Sequence, residues 1–512
     1  MKKSRLFDSA VLLIVFFLFA FSSLTVSVNS AWADQPKRGG TLVVSVPSAP
    51  RQLDPAKQWS YEEYMNNYWM FNALTYFDRD MSIKPDLATS WQSSADMKTW
   101  TFHLRRGVKF HHGKELDADD VVFTIQRIMD PKTGSPATES MRVVERVEAP
   151  DKYTVRFHLN IPYAEFPAVL AGREVKIVPK DKADLLSTNP IGTGPFKFKE
   201  YVFGDHLTVV RNENYWKKGL PYLDEIVERI LPEVPVQLAA LKGGEIDILW
   251  QVPPESIREL NKVKGLKVQE IPSELWDSIC MDPTMKPFDD VNVRLAVKYA
   301  LNKFQLTEYA LFGHGQIVNV LPLSPTNPYY PSSIPVPEQD YQKAKAYLAK
   351  AGLEKGFDVD LYVSPSRPTR DRLGVAVQQM LKPLNINANL IRVPWDKFVA
   401  DVEGKVAFYT DGFYASPTVD LALYPYYAST GSWNLWHWKD EKTDALLNKA
   451  RGQAKLEDRK RTYEELAQYL GTVEPIYVPY VRNWADAHRD RVKNFISHPG
   501  GLIYADDIWL EK

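Results

Sequence analysis

The sequence has one cysteine, Cys280, in 512 residues. No internal disulfide can form, and a zinc site built on several thiolates is excluded. It has no excess of one charge: 63 basic residues face 64 acidic ones, for a formal net charge of −1. A chain that wraps nucleic acid through a global basic field is excluded on that ground, and no nucleic-acid partner is expected. It has no internal repeat and no low-complexity tract. Its 12% aromatic content, with 14 Trp, 26 Tyr and 23 Phe, is the opposite of a disordered composition. Catalytic signatures are missing too. There is no Gly-x-Ser-x-Gly, no His-Glu-x-x-His, no P-loop and no Gly-x-Gly-x-x-Gly after a strand. The expectation is a protein that is not an enzyme and takes no cofactor and no metal.

What is there begins with length. A chain of 58.6 kDa is too long for one ordinary domain and ample for two or three. Its N-terminus carries Lys2, Lys3 and Arg5, then an apolar run from Ala10 to Phe21, then a stretch ending in Ala31-Trp32-Ala33. Basic start, apolar centre and small-x-small ending are the parts of a secretory signal peptide. Residues 1–33 are therefore expected to be removed after Ala33. An uncleaved anchor is the other reading, weakened by four Ser or Thr between Ala10 and Val28. No cysteine follows the apolar run to carry a lipid, and no second run of that length appears later. The mature chain is expected to be exported, and periplasmic in a two-membrane bacterium.

Periodicity sets out the mature chain. Strands are expected at Thr41 to Val46, Trp100 to Arg105, Tyr153 to Leu159, Phe196 to Tyr201, Leu207 to Arg211 and Ile246 to Trp250. Helices are expected at Tyr61 to Leu74, Val121 to Met129, Val236 to Lys242 and Val293 to Leu301. Asp117 is placed as the N-cap of the second, with an acidic first turn that suits the helix dipole. Leu321 to Pro337 holds six prolines and reads as a crossing segment. Beyond it, helices at Asp340 to Ala351, Asp371 to Leu384, Asp440 to Ala450 and Leu456 to Leu470 alternate with strands at Phe357 to Val363 and Asn387 to Val393. That alternation implies α/β units. Cys280, in the strand-like run Trp276 to Met281, reads as a buried structural thiol. His111-His112 has no third ligand at helical spacing and reads as a packed or solvated pair.

Three groups of segments carry a family resemblance. The first is Pro85-Asp-Leu-Ala-Thr-Ser-Trp91 with Trp100-Thr-Phe-His-Leu-Arg105, Phe110-His-His-Gly113 and Asp117-Ala-Asp-Asp120. The second is Gly192-Thr-Gly-Pro-Phe196 with Asn212-Glu-Asn-Tyr-Trp216, and the third is Pro287-Phe-Asp-Asp-Val-Asn-Val-Arg-Leu-Ala296. The mature chain resembles, in order, the extracellular solute-binding proteins of peptide and nickel ABC importers. The resemblance implies an α/β, two-lobed periplasmic-binding-protein fold of the class II type with an extra subdomain inserted in the first lobe. Lobe I is expected from residues 34–77, 190–283 and 487–512, the inserted subdomain from 78–189, and lobe II from 284–486. It also implies permease subunits in the inner membrane as partners, and a monomer that closes over its ligand.

A short peptide is a zwitterion, and burying it needs an anion for the ammonium and a cation for the carboxylate. Arg367, in Ser364-Pro-Ser-Arg367-Pro368, is similar to the carboxylate-binding arginine of dipeptide-binding relatives. Asp420, in Ala415-Ser-Pro-Thr-Val-Asp420, is similar to the aspartate that takes the peptide ammonium. The flank departs from the relatives' Gly-Asp-x-x-Asp run, so strict dipeptide specificity does not follow. Trp433 and Asn434 after Gly431-Ser432, Trp395 after a strand, and Trp59 and Tyr61 after Leu53-Asp-Pro-Ala56 complete the expected pocket, because aromatics supply apolar area with polar tips. The leading expectation is capture of short peptides or peptide-like solutes. The alternative keeps the transport role with a nickel chelate, haem, an opine or an oligosaccharide. An exported hydrolase would need a nucleophile, metal or carboxylate pair that the sequence does not display.

Overall fold

The computed structural model describes residues 35–413 and 418–511, with Tyr61 and Glu62 described by backbone alone. The expected signal segment lies outside the described residues. Among them, no helix is long and apolar enough to cross a membrane.

Local chemistry sets many element ends. Asp117 caps the helix Ala118–Met129: its side chain accepts from the Asp120 N–H at 3.2 Å, and Asp120 accepts from the Asp117 N–H at 3.2 Å. Ser60 and Glu63 repeat this reciprocal box at the start of Tyr61–Met70. That helix stops four residues short of the expected Leu74, because Phe71 turns extended with φ −129° and ψ 156°. The helix expected from Asp371 starts three residues earlier, as Pro368–Leu381, with Pro368 in the first turn where its missing N–H costs nothing.

Two sheets organise the chain. Ala88–Ser93, Thr99–Leu104, Thr154–Leu159 and Val144–Asp151 form a four-stranded sheet in that order, all neighbours antiparallel. Its Thr154–Leu159 strand buries every second residue, and that face packs with Val121, Ile125 and Ile128 in one core. The other sheet has eleven strands. Thr41–Val46 lies in it, parallel to Glu225–Ile230. At the far end Ile386–Arg392, Phe357–Val363 and Phe408–Phe413 are neighbours, with the 357 and 386 strands parallel. The helix Pro368–Leu381 joins that parallel pair as the expected β-α-β unit.

Two long strands, Leu266–Met281 and Ile476–Arg489, carry this sheet from one side to the other. They pair antiparallel from Leu266 opposite Arg489 to Cys280 opposite Ile476, with register shifts between Ile271 and Leu275 and between Asp277 and Ile279. Residues 275–281 are buried on both faces. Cys280 sits there, fully buried, and burial raises its thiol pKa well above the usual value.

The glycine turn at 192–194 is a tight joint. The Gly194 N–H donates to the Met70 carbonyl at 2.9 Å. A Cβ on Gly194 would lie 2.5 Å from the Trp69 carbonyl oxygen, and one on Gly192 2.1 Å from that of Met70. His111 closes the same turn, accepting from the Gly192 N–H at 3.3 Å and lying 3.2 Å from the Gly194 carbonyl. Burial lowers its pKa to about 4, so it is a neutral packing residue at physiological pH. Gly194→Ala is expected to cost about 1–2 kcal/mol, because the backbone must move to admit the methyl. A urea midpoint equal to that of the parent would remove this role.

Candidate functional site

A cavity of about 450 Å³ lies where three parts of the chain meet. One wall comes from residues 136–143 and 160–175, another from 421–451, and the floor from 498–502. Both signs of charge line it. Glu139, Arg142, Arg173 and Glu174 stand on the first wall and Arg451 on the second. The rings of Tyr163, Tyr424, Tyr426 and Trp433 add apolar area. This mixture suits a solute with charged ends and an uncharged body.

Arg451 is fixed in place. It ends the helix Glu441–Arg451 and packs its guanidinium 3.2 Å from the Tyr424 ring centroid. Its Nε and Nη2 donate to the two oxygens of Asp420 at 2.7 and 2.9 Å. The Tyr163 hydroxyl donates to the same carboxylate at 2.6 Å. Asp420 is 1% exposed. Burial first, and then the Asp420 charge, raise the Tyr163 pKa well above its usual value. Burial alone would lower the Arg451 pKa; the attraction and hydrogen bonds of Asp420 reverse that and raise it. Asp420 thus spends its oxygens on holding Arg451 and Tyr163.

The segment Tyr163-Ala164-Glu165 anchors this wall. The Ala164 N–H donates to the Arg451 carbonyl at 3.1 Å, and Glu165 accepts from the Tyr329 hydroxyl at 3.1 Å. Across the cavity the Ser432 N–H donates to Glu139 at 3.1 Å. Burial raises the Glu139 pKa above the usual carboxylate range.

Of the residues selected from sequence, Trp433 lines this cavity, 43% exposed. Asp420 stands behind it, bonded to Arg451. Asn434 staples its own loop: its Nδ2 donates to the Ala428 and Trp438 carbonyls and its Oδ1 accepts from the Trp438 N–H. Arg367 and Trp395 come together elsewhere, with the guanidinium 4.4 Å from the indole centroid. Arg370 shares that ring at 5.2 Å and donates to Asp411 at 2.9 Å. Near them burial raises Glu403 to about 7, helped by Asp411 and opposed by Arg370 and Arg367. Trp59 is 61% exposed on its loop. Tyr61 opens its helix, and its side chain lies outside the described residues, as do Tyr414 to Pro417 beside Asp420.

Sequence reasoning missed Arg142, Glu139, Arg173, Glu174, Tyr163 and Arg451. The only local signals are the adjacent Arg173-Glu174 and the spacing of Glu139 and Arg142, both common on solvated surfaces. Tyr424, which also lines the cavity, was missed as well.

Comparison with known proteins decides the family. The model of the bacterial extracellular solute-binding proteins, family 5, middle region, matches residues 82–434. The chain belongs to this family. Among relatives of this solute-binding protein, heme-binding protein A of Haemophilus influenzae is 31% identical over 503 residues, covering 90% of each chain. Di/tripeptide-binding protein 2 of Pseudomonas aeruginosa is 30% identical over 513 residues, covering 93% of this chain and 95% of the relative. In structure, the protein resembles the ABC transporter-associated periplasmic binding protein of Helicobacter pylori in complex with the peptide STSA. The TM-score is 0.82 at 27% identity, covering 93% of this chain and 99% of that one. The α/β, two-lobed periplasmic-binding-protein fold expected from sequence is therefore the fold of this solute-binding protein.

Proposed function

We propose that this solute-binding protein captures a short peptide or peptide-like zwitterion in the 450 Å³ cavity and delivers it to the membrane permease of an ABC importer. The observation that carries the reading is the wall chemistry: arginines and glutamates line one cavity together with six aromatic rings, those of Tyr68, Phe77, Tyr163, Tyr424, Tyr426 and Trp433. Arg142 is exposed into this space and takes the solute carboxylate, because a guanidinium fork binds both oxygens. Glu174 takes the ammonium, and Glu139 adds a second carboxylate to the same cavity lining. Trp433 covers the solute body. Asp420 is a positioning residue that acts through Arg451. On this reading the cavity opens between the inserted subdomain, residues 78–189, and lobe II, residues 284–486. The exported, periplasmic location and the monomeric state belong to the same reading.

Native mass spectrometry of the purified exported chain tests it, together with titration of trialanine. Co-purified short peptides are expected, and Arg142→Ala is expected to weaken trialanine at least about tenfold, because the solute carboxylate loses its charge partner. If Arg367→Ala abolishes binding and Arg142→Ala leaves it intact, the carboxylate belongs over Trp395. A co-purified haem would overturn the peptide reading; the 31% identity to a heme-binding protein makes haem the alternative to look for.

A further inference from the structure

We propose that a second cavity, which adjoins the first at Tyr68, is a distinct binding site for a small zwitterion of the size of a free amino acid, with the carboxylate on Lys176 and the ammonium at Asp506 and Asp507. This proposal does not rest on the peptide reading. The cavity is about 320 Å³, room for about ten waters at roughly 30 Å³ each.

The anomaly is Lys176. Three lysines are buried among the described residues: Lys176, Lys298 and Lys303. Lys298 donates to Glu474 at 2.7 Å and to the Gly471 carbonyl at 2.6 Å. Lys303 donates to the carbonyls of Val318, Asn319 and Val478 at 3.0, 2.7 and 2.6 Å. Lys176, only 3% exposed, has no hydrogen-bond acceptor among the described residues. Its Nζ lies 3.7 Å from the Tyr68 ring centroid, on the lining of the cavity. The nearby carboxylate of Asp86 is occupied, by the Asn72 amide at 3.1 Å and the Ala73 N–H at 3.0 Å. A buried ammonium without a partner is costly, and the fold keeps this one facing an open space. Burial lowers its pKa to about 8, against the pull of Asp86 and Glu174.

The rest of the lining selects the ligand class. Lys217 pairs with Asp506 at 2.8 Å and Arg79 with Asp507 at 3.5 Å. These pairs nearly cancel, so the cavity has no surplus of cations to hold a dianion such as phosphate. Lys176 offers an ammonium with no hydrogen-bond acceptor among the described residues, and the lining as a whole holds four aspartates against three cations. Part-exposed Asp506 and Asp507, though each already faces a cation, can therefore share a further ammonium; the cavity fits a molecule with one charge of each sign. Phe71, Tyr76, Tyr215 and Tyr504 supply apolar walls for a side chain.

The test is calorimetric titration of the exported chain with L-leucine and, separately, with sodium acetate. One molecule of L-leucine is expected to bind, with acetate at least about tenfold weaker because it forgoes the aspartates. Lys176→Met is expected to weaken L-leucine at least about tenfold, since the unpaired cation is its anchor. Asp507→Asn is expected to weaken it in the same direction. Lys176→Met replaces a lone buried charge with an apolar chain of similar length, so its thermal midpoint should hold or rise. Trialanine should bind this variant as it binds the parent, which separates this site from the peptide cavity. No L-leucine binding, equal binding of acetate, or unchanged binding in Lys176→Met would each overturn the assignment.

Discussion

Asp420→Ala is expected to destabilise the fold by about 3–5 kcal/mol, the cost of stripping a buried cation of its partner. Asp420 is buried and receives two bonds from Arg451 and one from Tyr163, a residue 257 positions away. Removing the carboxylate leaves a buried guanidinium and a buried hydroxyl unsatisfied. Chemical denaturation should show a lower midpoint at an unchanged slope. Arg451→Met in the same background should recover part of the loss, because the orphaned cation goes with it. If Asp420→Ala instead keeps the parent's stability and loses only ligand, the carboxylate is a direct solute contact and the positioning role fails.

The second large effect depends on pH. Glu274 lies at the register shift of the strand Leu266–Met281 and accepts from the Ser324 N–H at 2.7 Å and the Asn327 amide at 3.0 Å. Burial raises its pKa from 4.5 to about 7 in spite of both bonds. A carboxyl raised in the folded state favours the protonated form. Its penalty is absent below the unfolded value of 4.5, grows as pH rises and is complete above about 7. Glu274→Gln should therefore match the parent near pH 4 and exceed it near pH 8. The gain there is about 2–3 kcal/mol, at about 1.4 kcal/mol per unit less a discount for residual solvent. A difference that is flat between these two pH values would show that Glu274 titrates as an ordinary carboxylate.

Much of the fold is legible because its signals are local. Asp117 and Asp120 are three residues apart, and the cap they form needs nothing else. The strand Thr154–Leu159 shows its alternation in six consecutive residues. The long strand Leu266–Met281 is only half legible. Lys267, Gln269 and Glu270 belong to a partly exposed stretch, whereas 275–281 is buried on both faces, so one strand carries two patterns. The candidate site was legible only at Trp433. Asp420 stood out as an acid in a family-like segment, but nothing nearby shows that Arg451, 31 residues on, takes its charge. Arg142 and Glu139 become wall residues only when a segment near residue 140 meets one near residue 430, and that juxtaposition has no local signature.

The way the core around the strand Thr41–Val46 is assembled bears on when the chain can fold during synthesis. Leu42, Val44 and Trp69 share a core with Trp484, Ile503, Ile508 and Leu510. The Trp69 indole donates to the Ile503 carbonyl at 3.0 Å and the Trp250 indole to the Gly501 carbonyl at 2.8 Å. Trp69 and Trp250 thus wait for partners 434 and 251 positions further along the chain. Contacts that close such long loops form slowly, and a chain that lacks them leaves apolar faces uncovered. The segment that carries Gly501 and Ile503 thus acts as the clasp of this core, closing a loop of 434 positions back to Trp69.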